Sequence, residues 1–394
     1  MPIIISGVQY SGKWNLQAQA QADAAATWPK PHPPYGLYVW GHNNTGQLGL
    51  DDTVDRSSPV ILGSENWSAA SRAVFGGGLS SGAIRADGTI WVMGANNNYQ
   101  LGTGNSTNYS SPVQIGSLTT WLKAAAGAYH TAAIKTDGTL WTWGRGALGQ
   151  LGTGATASKS NPIQVGGLTT WLQVASGYAS TMGITTDGKL YAWGYNAQGN
   201  LGLGNTTNYS SPVQVGALTT WASVGCAQVT TWAIKTDGTL WGWGYNNVGQ
   251  VGNGNTTSMS SPVQIGALTT WSQVGGTASS AIALKTDGTL WMWGDDTYGQ
   301  LGQGTVNITK SSPVQVGALT TWAKVGTTNY SVHVIKTDGT LWSWGRNQYG
   351  QIGVGTQSGS VFYSSPVQVG ALTTWAQVRN DCEGAAVLSI KTPN

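Results

Sequence analysis

From Thr131 to Trp143 small and apolar residues alternate up to Lys135, the chain breaks at Thr136-Asp137-Gly138-Thr139, and Leu140-Trp141-Thr142-Trp143 alternates again before Gly144. Period-two alternation predicts strands, and the Asp-Gly pair supplies the positive φ angles of a tight turn, so the stretch reads as a β-hairpin. Leu140 and Thr142 fall on one face and Trp141 and Trp143 on the other, an arrangement that lets neighbouring sheets interleave their indoles. Downstream, Gly144 to Gly154 is punctuated by glycine, and Pro162-Ile163-Gln164-Val165 and Trp171-Leu172-Gln173-Val174 read as two further short strands. Four strands in about fifty residues make one propeller blade.

The hairpin recurs. Its closing glycine returns at positions 41, 94, 144, 194, 244, 294 and 345, in steps of 53, 50, 50, 50, 50 and 51 residues. Seven units at this period predict a repeat architecture. One copy is split: Ala385 to Thr392 matches Thr131 to Thr136 but lacks the Trp-rich strand, which stands instead at Leu37 to Gly41. Pairing these two segments closes the repeats into a ring and removes the open sheet edges. The expected fold is therefore an all-β, seven-bladed propeller of four-stranded blades over residues 35–394, preceded by an arm over residues 1–34.

The motif between the Trp-rich and Pro-Val strands appears as Gly41-His-Asn-Asn-Thr-Gly-Gln-Leu-Gly49, Gly144-Arg-Gly-Ala-Leu-Gly-Gln-Leu-Gly152 and Gly244-Tyr-Asn-Asn-Val-Gly-Gln-Val-Gly252. It resembles the repeat of the regulator of chromosome condensation family, which implies a seven-bladed propeller closed by strands from both termini. The family's nucleotide-exchange and chromatin roles are not carried over, because no basic tail and no long wedge-like insertion is present. The first thirty residues, with Tyr10-Ser-Gly-Lys-Trp14, an Ala/Gln tract and Ala26-Thr-Trp28-Pro29, resemble the opening of virion structural proteins of tailed phages. Asn15 to Ala26 has the composition of a short helix, and Pro29, Pro31, Pro33 and Pro34 favour an extended connector. Tyr10, Trp14 and Trp28 are the candidate attachment residues. A strap folding back over the domain is the other reading of this segment.

Charge is sparse, 18 basic against 15 acidic residues, and no Lys/Arg cluster invites nucleic acid or an anionic membrane. The start lacks a signal-peptide pattern and no apolar run approaches eighteen residues, which predicts a soluble chain made in a cytosol. Cys226 and Cys382, placed far apart around a ring, suggest neither a disulfide nor a metal site. Of the 21 Trp, 11 belong to the Trp-rich strands and 7 follow the Leu-Thr-Thr connector, leaving Trp14, Trp28 and Trp232 outside the pattern. Repeat-locked Trp reads as core, whereas Trp232 replaces a small residue and is a candidate for another role. Lys135/Asp137 and their repeats read as solvated pairs beside a turn. Asp51/Asp52 and Asp295/Asp296 lack the companion ligands of a Ca²⁺ loop, and Gly152-Thr-Gly154 reads as a turn with no helix behind it to hold phosphate.

What varies between units is the loop after the third strand read above, which supplies the candidate binding residues Tyr129, His130, Tyr178, Gln228, Asn329 and Tyr330, joined by Trp232. Differing loops on a rigid scaffold build binding surfaces, and unconstrained drift leaves the same pattern. With no nucleophile, acid pair, metal cluster or cofactor motif, the expectation is a non-enzymatic protein without cofactor. The reading is a virion fibre, appendage or decoration protein, assembled in a host cytoplasm, bound to other virion proteins through the arm and to a host surface receptor or glycan through the loops, with homo-oligomerisation open. The alternative is a bacterial protein- or carbohydrate-binding propeller.

Overall fold

The computed structural model describes residues 4–5, 8–9, 35–357, 361–381 and 383–392. The expected helix over 15–26, the attachment residues Tyr10, Trp14 and Trp28, and Cys382 lie outside these. Ile4–Ile5 and Val8–Gln9 form a two-stranded antiparallel ladder. All other strands belong to seven four-stranded antiparallel sheets.

Each sheet is one blade, with strands a to d running outward from the ring axis. Blade 3 is representative: Trp171–Ser176, Ser180–Thr185, Leu190–Gly194 and Tyr209–Gln214 pair in chain order. From blade 1 to blade 7 each a strand touches that of the next blade, and together they surround the axis, while the d strands form the half-exposed rim. Taking Val74–Gln114 as blade 1, the chain completes blade 6 at Gln368. Blade 7 is composite: Trp375–Val378, Ala386–Lys391, Gly36–Gly41 and Arg56–Ile61 lie side by side. Leu37 pairs with Ile390 and Val39 with Leu388, so the termini close the ring through the expected split hairpin.

The Asp-Gly turn places Gly138 at φ 75°, a left-handed conformation that suits glycine. Asp137 accepts hydrogen bonds from the Thr139 amide and hydroxyl and so caps its own turn. Along the returning strand the two faces separate as expected. Trp143 packs with blade 1 residues Ile84, Ile90 and Val92, whereas Leu140 packs with Trp171 and Trp193 of blade 3.

The family motif is an inter-blade clasp. The buried Trp193 indole donates to the carbonyl of Gln150, in the Gly-Gln-Leu-Gly of the preceding blade, at 3.0 Å. Trp40, Trp143, Trp243, Trp293 and Trp344 repeat this bond at 2.8–3.0 Å. Gly152, at φ 69°, closes the motif beneath the same indole, and a Cβ there would stand 2.7 Å from Trp193 Nε1. Blade 1 has Met93 in place of the Trp. No helix among the described residues is long and apolar enough to cross a membrane.

Candidate functional site

Because strand b begins where strand c ends, His130 opposite Gly144, the a–b turns and c–d loops share one face of the ring. The Asp-Gly turns and d–a connectors form the other. Nearly all the varying residues fall on the first, and adjacent a–b turns, which follow one another in a circle there, are tied in two runs. Gly78 N donates to Ala128 O, Ala128 N to Tyr178 O, Tyr178 N to Gln228 O, Ala278 N to Asn329 O, and Asn329 N to Gly384 O.

The circle carries aromatic pairs. Tyr129 and Tyr178 meet edge to face at 5.8 Å, with the Arg145 guanidinium 5.7 Å from the Tyr129 ring. Tyr298 and Tyr330 meet at 5.2 Å, with Arg346 4.7 Å from Tyr298 and Phe362 alongside. Tyr178 and Phe362 are exposed, and Gln228 and Asn329 are half-buried with 3.5 Å between their amides. Burial raises the Tyr178 and Tyr330 phenol pKa values, and the nearby Glu383 carboxylate pushes both the same way. That carboxylate belongs to the centre of this face.

Two candidate residues are corrected. His130 is fully buried between blades, its Nε2 2.9 Å from the Thr181 hydroxyl, and burial lowers its pKa to about 4. It is a neutral packing residue and no part of the exposed face. Trp232 is also fully buried: it faces Gly242 across the ladder, packs against Trp293 at 6.4 Å, and donates to Gln250 O at 3.0 Å. Gly242 supplies the room, since a Cβ there would stand 3.0 Å from the indole. A large-for-small exchange on one strand is matched by a small-for-large one on its partner.

The Lys-Asp pairs are corrected too. Lys135 is 7% exposed, and its ammonium sits 3.6 Å from the centre of the Trp141 ring and 4.9 Å from that of Trp121. Lys235, Lys285 and Lys336 repeat the stack at 3.6–3.8 Å. These lysines cover indoles as cation–π partners and do not stand as solvated turn charges.

Sequence reasoning missed the segment Arg379 to Gly384. The a strand of blade 7 stops at Val378, four residues long against six in blades 2 to 6, and the chain then crosses the axis. Arg379 donates to Ala386 O and Gly76 O, both at 2.7 Å. Thr327 donates to Asn380 Oδ1 at 3.1 Å, and Gly76 N to Asp381 Oδ2 at 2.9 Å. Asp381 lies between Arg379 and Arg72 and close enough to Cys226 to push that thiol up, burial being the larger cause, to about 12. Separation around the ring therefore does not keep residues near 382 from Cys226. The signal was available: Arg-Asn-Asp-Cys-Glu is a polar run where blade 5 has Gly275-Gly-Thr-Ala-Ser279.

Among the described residues no group of three or more His, Cys, Asp or Glu is arranged to hold a metal ion. The surface offers aromatic, amide and guanidinium contacts for recognition.

These features place the chain among closed propellers whose blades are clasped by Trp and Gly-Gln-Leu-Gly. Residues 36–385 match the family model of the RCC1-like domain, and the chain belongs to that family. It resembles human WBSCR16 (TM-score 0.78, 20% identity, 91% of this chain and 99% of that one). It also resembles Prp20p from Saccharomyces cerevisiae (TM-score 0.80, 18% identity, 92% of each chain). At such identities the likeness is one of fold. Among curated proteins it is 34% identical over 79 residues to the X-linked retinitis pigmentosa GTPase regulator of Canis lupus familiaris, 20% of this chain and 8% of the relative. It is 33% identical over 84 residues to the secretion-regulating guanine nucleotide exchange factor of Bos taurus, 20% of this chain and 18% of the relative. The chain thus spans less than a fifth of these relatives' length.

Proposed function

We propose that this protein is a non-catalytic recognition propeller that binds a partner protein through the face of its a–b turns and c–d loops. One observation carries the reading: on a scaffold repeated almost word for word, differences concentrate on one face, where Tyr129, Tyr178, Tyr298 and Tyr330 stand beside Arg145 and Arg346. Tyr and Arg are the residue types that anchor protein interfaces, giving large contact area at small entropic cost. A protein of the same fold points the same way, since Prp20p from Saccharomyces cerevisiae binds Gsp1p and histones.

Photo-crosslinking in native extract tests this. A benzophenone amino acid at Tyr178 should yield a discrete adduct that the same group at Leu268, on the opposite face, does not. Equal adducts from both sites, or none from Tyr178, would overturn the reading, and a glycan array answering to Tyr178→Ala would shift it to carbohydrate.

A finer reading makes the propeller a virion appendage, attached through residues 1–34, which precede the family domain and resemble phage structural proteins. Deletion of residues 1–34 should then abolish incorporation into purified particles while leaving the propeller folded; unchanged incorporation would remove this reading and leave the first intact.

A further inference from the structure

The axial channel differs at its two ends. Arg379, Asn380, Asp381, Glu383 and Gly384 close it at the loop face, and toward the Asp-Gly face it opens as a cavity of about 210 Å³ lined by Arg72, Gln173, Gln273, Lys324, Gln377 and Asp381. Around this end of the axis, side chains from the third residue of several a strands reach a backbone carbonyl of the next blade. Gln273 Nε2 donates to Ala323 O at 2.7 Å and Gln377 Nε2 to Ala69 O at 2.9 Å. Lys123 Nζ donates to Leu172 O at 2.8 Å, and Lys324 Nζ to Ala376 O.

Amides and ammonium groups thus perform the same clasp. The positive charge at Lys123 and Lys324 is surplus to it, and each ammonium keeps two N–H donors beyond the one it uses. Burial lowers both amines' pKa values, and the nearby Arg72 guanidinium lowers that of Lys123 further. Among the described residues neither ammonium has a carboxylate within ion-pair distance. Asp381, on the channel floor, is engaged with Arg379 and Arg72. The turn aspartates of the same face, such as Asp137, belong to the b–c hairpins farther from the axis and accept from their own threonines. Arg85, Lys135, Lys235, Lys285 and Lys336, by contrast, are covered by aromatic rings. Lys324 and Arg72 line the cavity against one carboxylate, Asp381, which Arg379 and Arg72 already engage, so part-desolvated positive charge is left in excess there and attracts an anion.

We propose that the open mouth of the channel binds a small multivalent oxyanion, a phosphate or a di- or tricarboxylate, held by the free N–H donors of Lys324 beside the Arg72 guanidinium, with Lys123, near Arg72 but outside the lining, adding positive charge. The site is on the face opposite the aromatic loops and stands independently of the partner reading. Calorimetric titration of the full chain with pyrophosphate and with citrate at low ionic strength tests it. The informative variant is K123Q/K324Q, because glutamine makes the same carbonyl clasp in blades 5 and 7 and an unchanged thermal midpoint will certify its fold. Saturable one-to-one binding of at least one anion is expected, weakened tenfold or more in K123Q/K324Q and unchanged in K159Q/K310Q on the rim. No saturable binding by the wild type, or affinity retained in K123Q/K324Q, or affinity lost equally in the rim variant, would overturn the proposal. So would binding of a triglutamate peptide with neither free anion bound, which would move the site to a partner's acidic side chains.

Discussion

At the scale of single residues, the ionisable groups that look most like chemistry are put to structural use. Asp296 takes the position of Asn196 and Asn246, whose amide nitrogens donate to loop carbonyls. A carboxylate cannot donate: one Asp296 oxygen accepts from Leu301 N at 2.9 Å, the other is buried without a partner, and burial raises the pKa to about 6. With a folded pKa above its unfolded value, the ionised form costs stability as pH rises from about 4 through 6. Asp296→Asn should therefore stabilise the protein at pH 7 by about 1–3 kcal/mol, the cost of a buried unpaired acceptor, and by much less at pH 4, as urea midpoints at the two values would report. His130 and His333 act with the opposite sign. Burial holds them at about 4 and about 3, so the unfolded chain takes up protons first as pH falls below 6.5. Stability present above pH 6.5 should decline toward pH 4, by at most about 1.4 kcal/mol per pH unit for each histidine. His130→Gln should flatten that decline.

At the scale of elements, the hairpin and its turn were legible because alternation and Asp-Gly are local signals, and each has one good structural solution. The role of the repeated lysine was not, although register contained it. Ala133 faces Trp141 across the ladder, so Lys135, two residues on, leans over the same indole. Trp232 was legible only jointly with Gly242, about 35 Å of chain away in extended form but its direct partner in the sheet. The plug was missed because a repeat-based reading discounts whatever departs from the repeat, and Arg379 to Gly384 departs most. The clasp gives a sharp test. Gly202→Ala places a Cβ 2.7 Å from Trp243 Nε1 at a φ of 73°, and should lower stability by about 2 kcal/mol or more, whereas Gly216→Ala, also at positive φ but with open space around it, should cost less. Thermal unfolding of the two variants against wild type separates steric conflict at the indole from backbone strain alone.

At the scale of the whole molecule, one ring presents two unlike faces, and that asymmetry comes from topology. The b–c turns keep Asp-Gly, while the a–b turns and c–d loops vary and gather the tyrosines. The ring was legible from a single fact, the split copy shared by Leu37 and Ile390, whereas which varying residues reach solvent was not, because His130 and Trp232 occupy strand positions that alternation alone leaves facing either blade. Closure is also what gives both faces their shape, since an unclosed array would split blade 7, expose the edges of Gly36–Gly41 and Ala386–Lys391, and leave the plug without Gly76 to hold. Hydrogen exchange of the Gly36–Gly41 and Ala386–Lys391 amides tests closure most directly. The account predicts that both segments exchange together and as slowly as the central strands Ser180–Thr185 and Leu190–Gly194 of blade 3; exchange at the rate of an open edge in either segment, with blade 3 still protected, would contradict it.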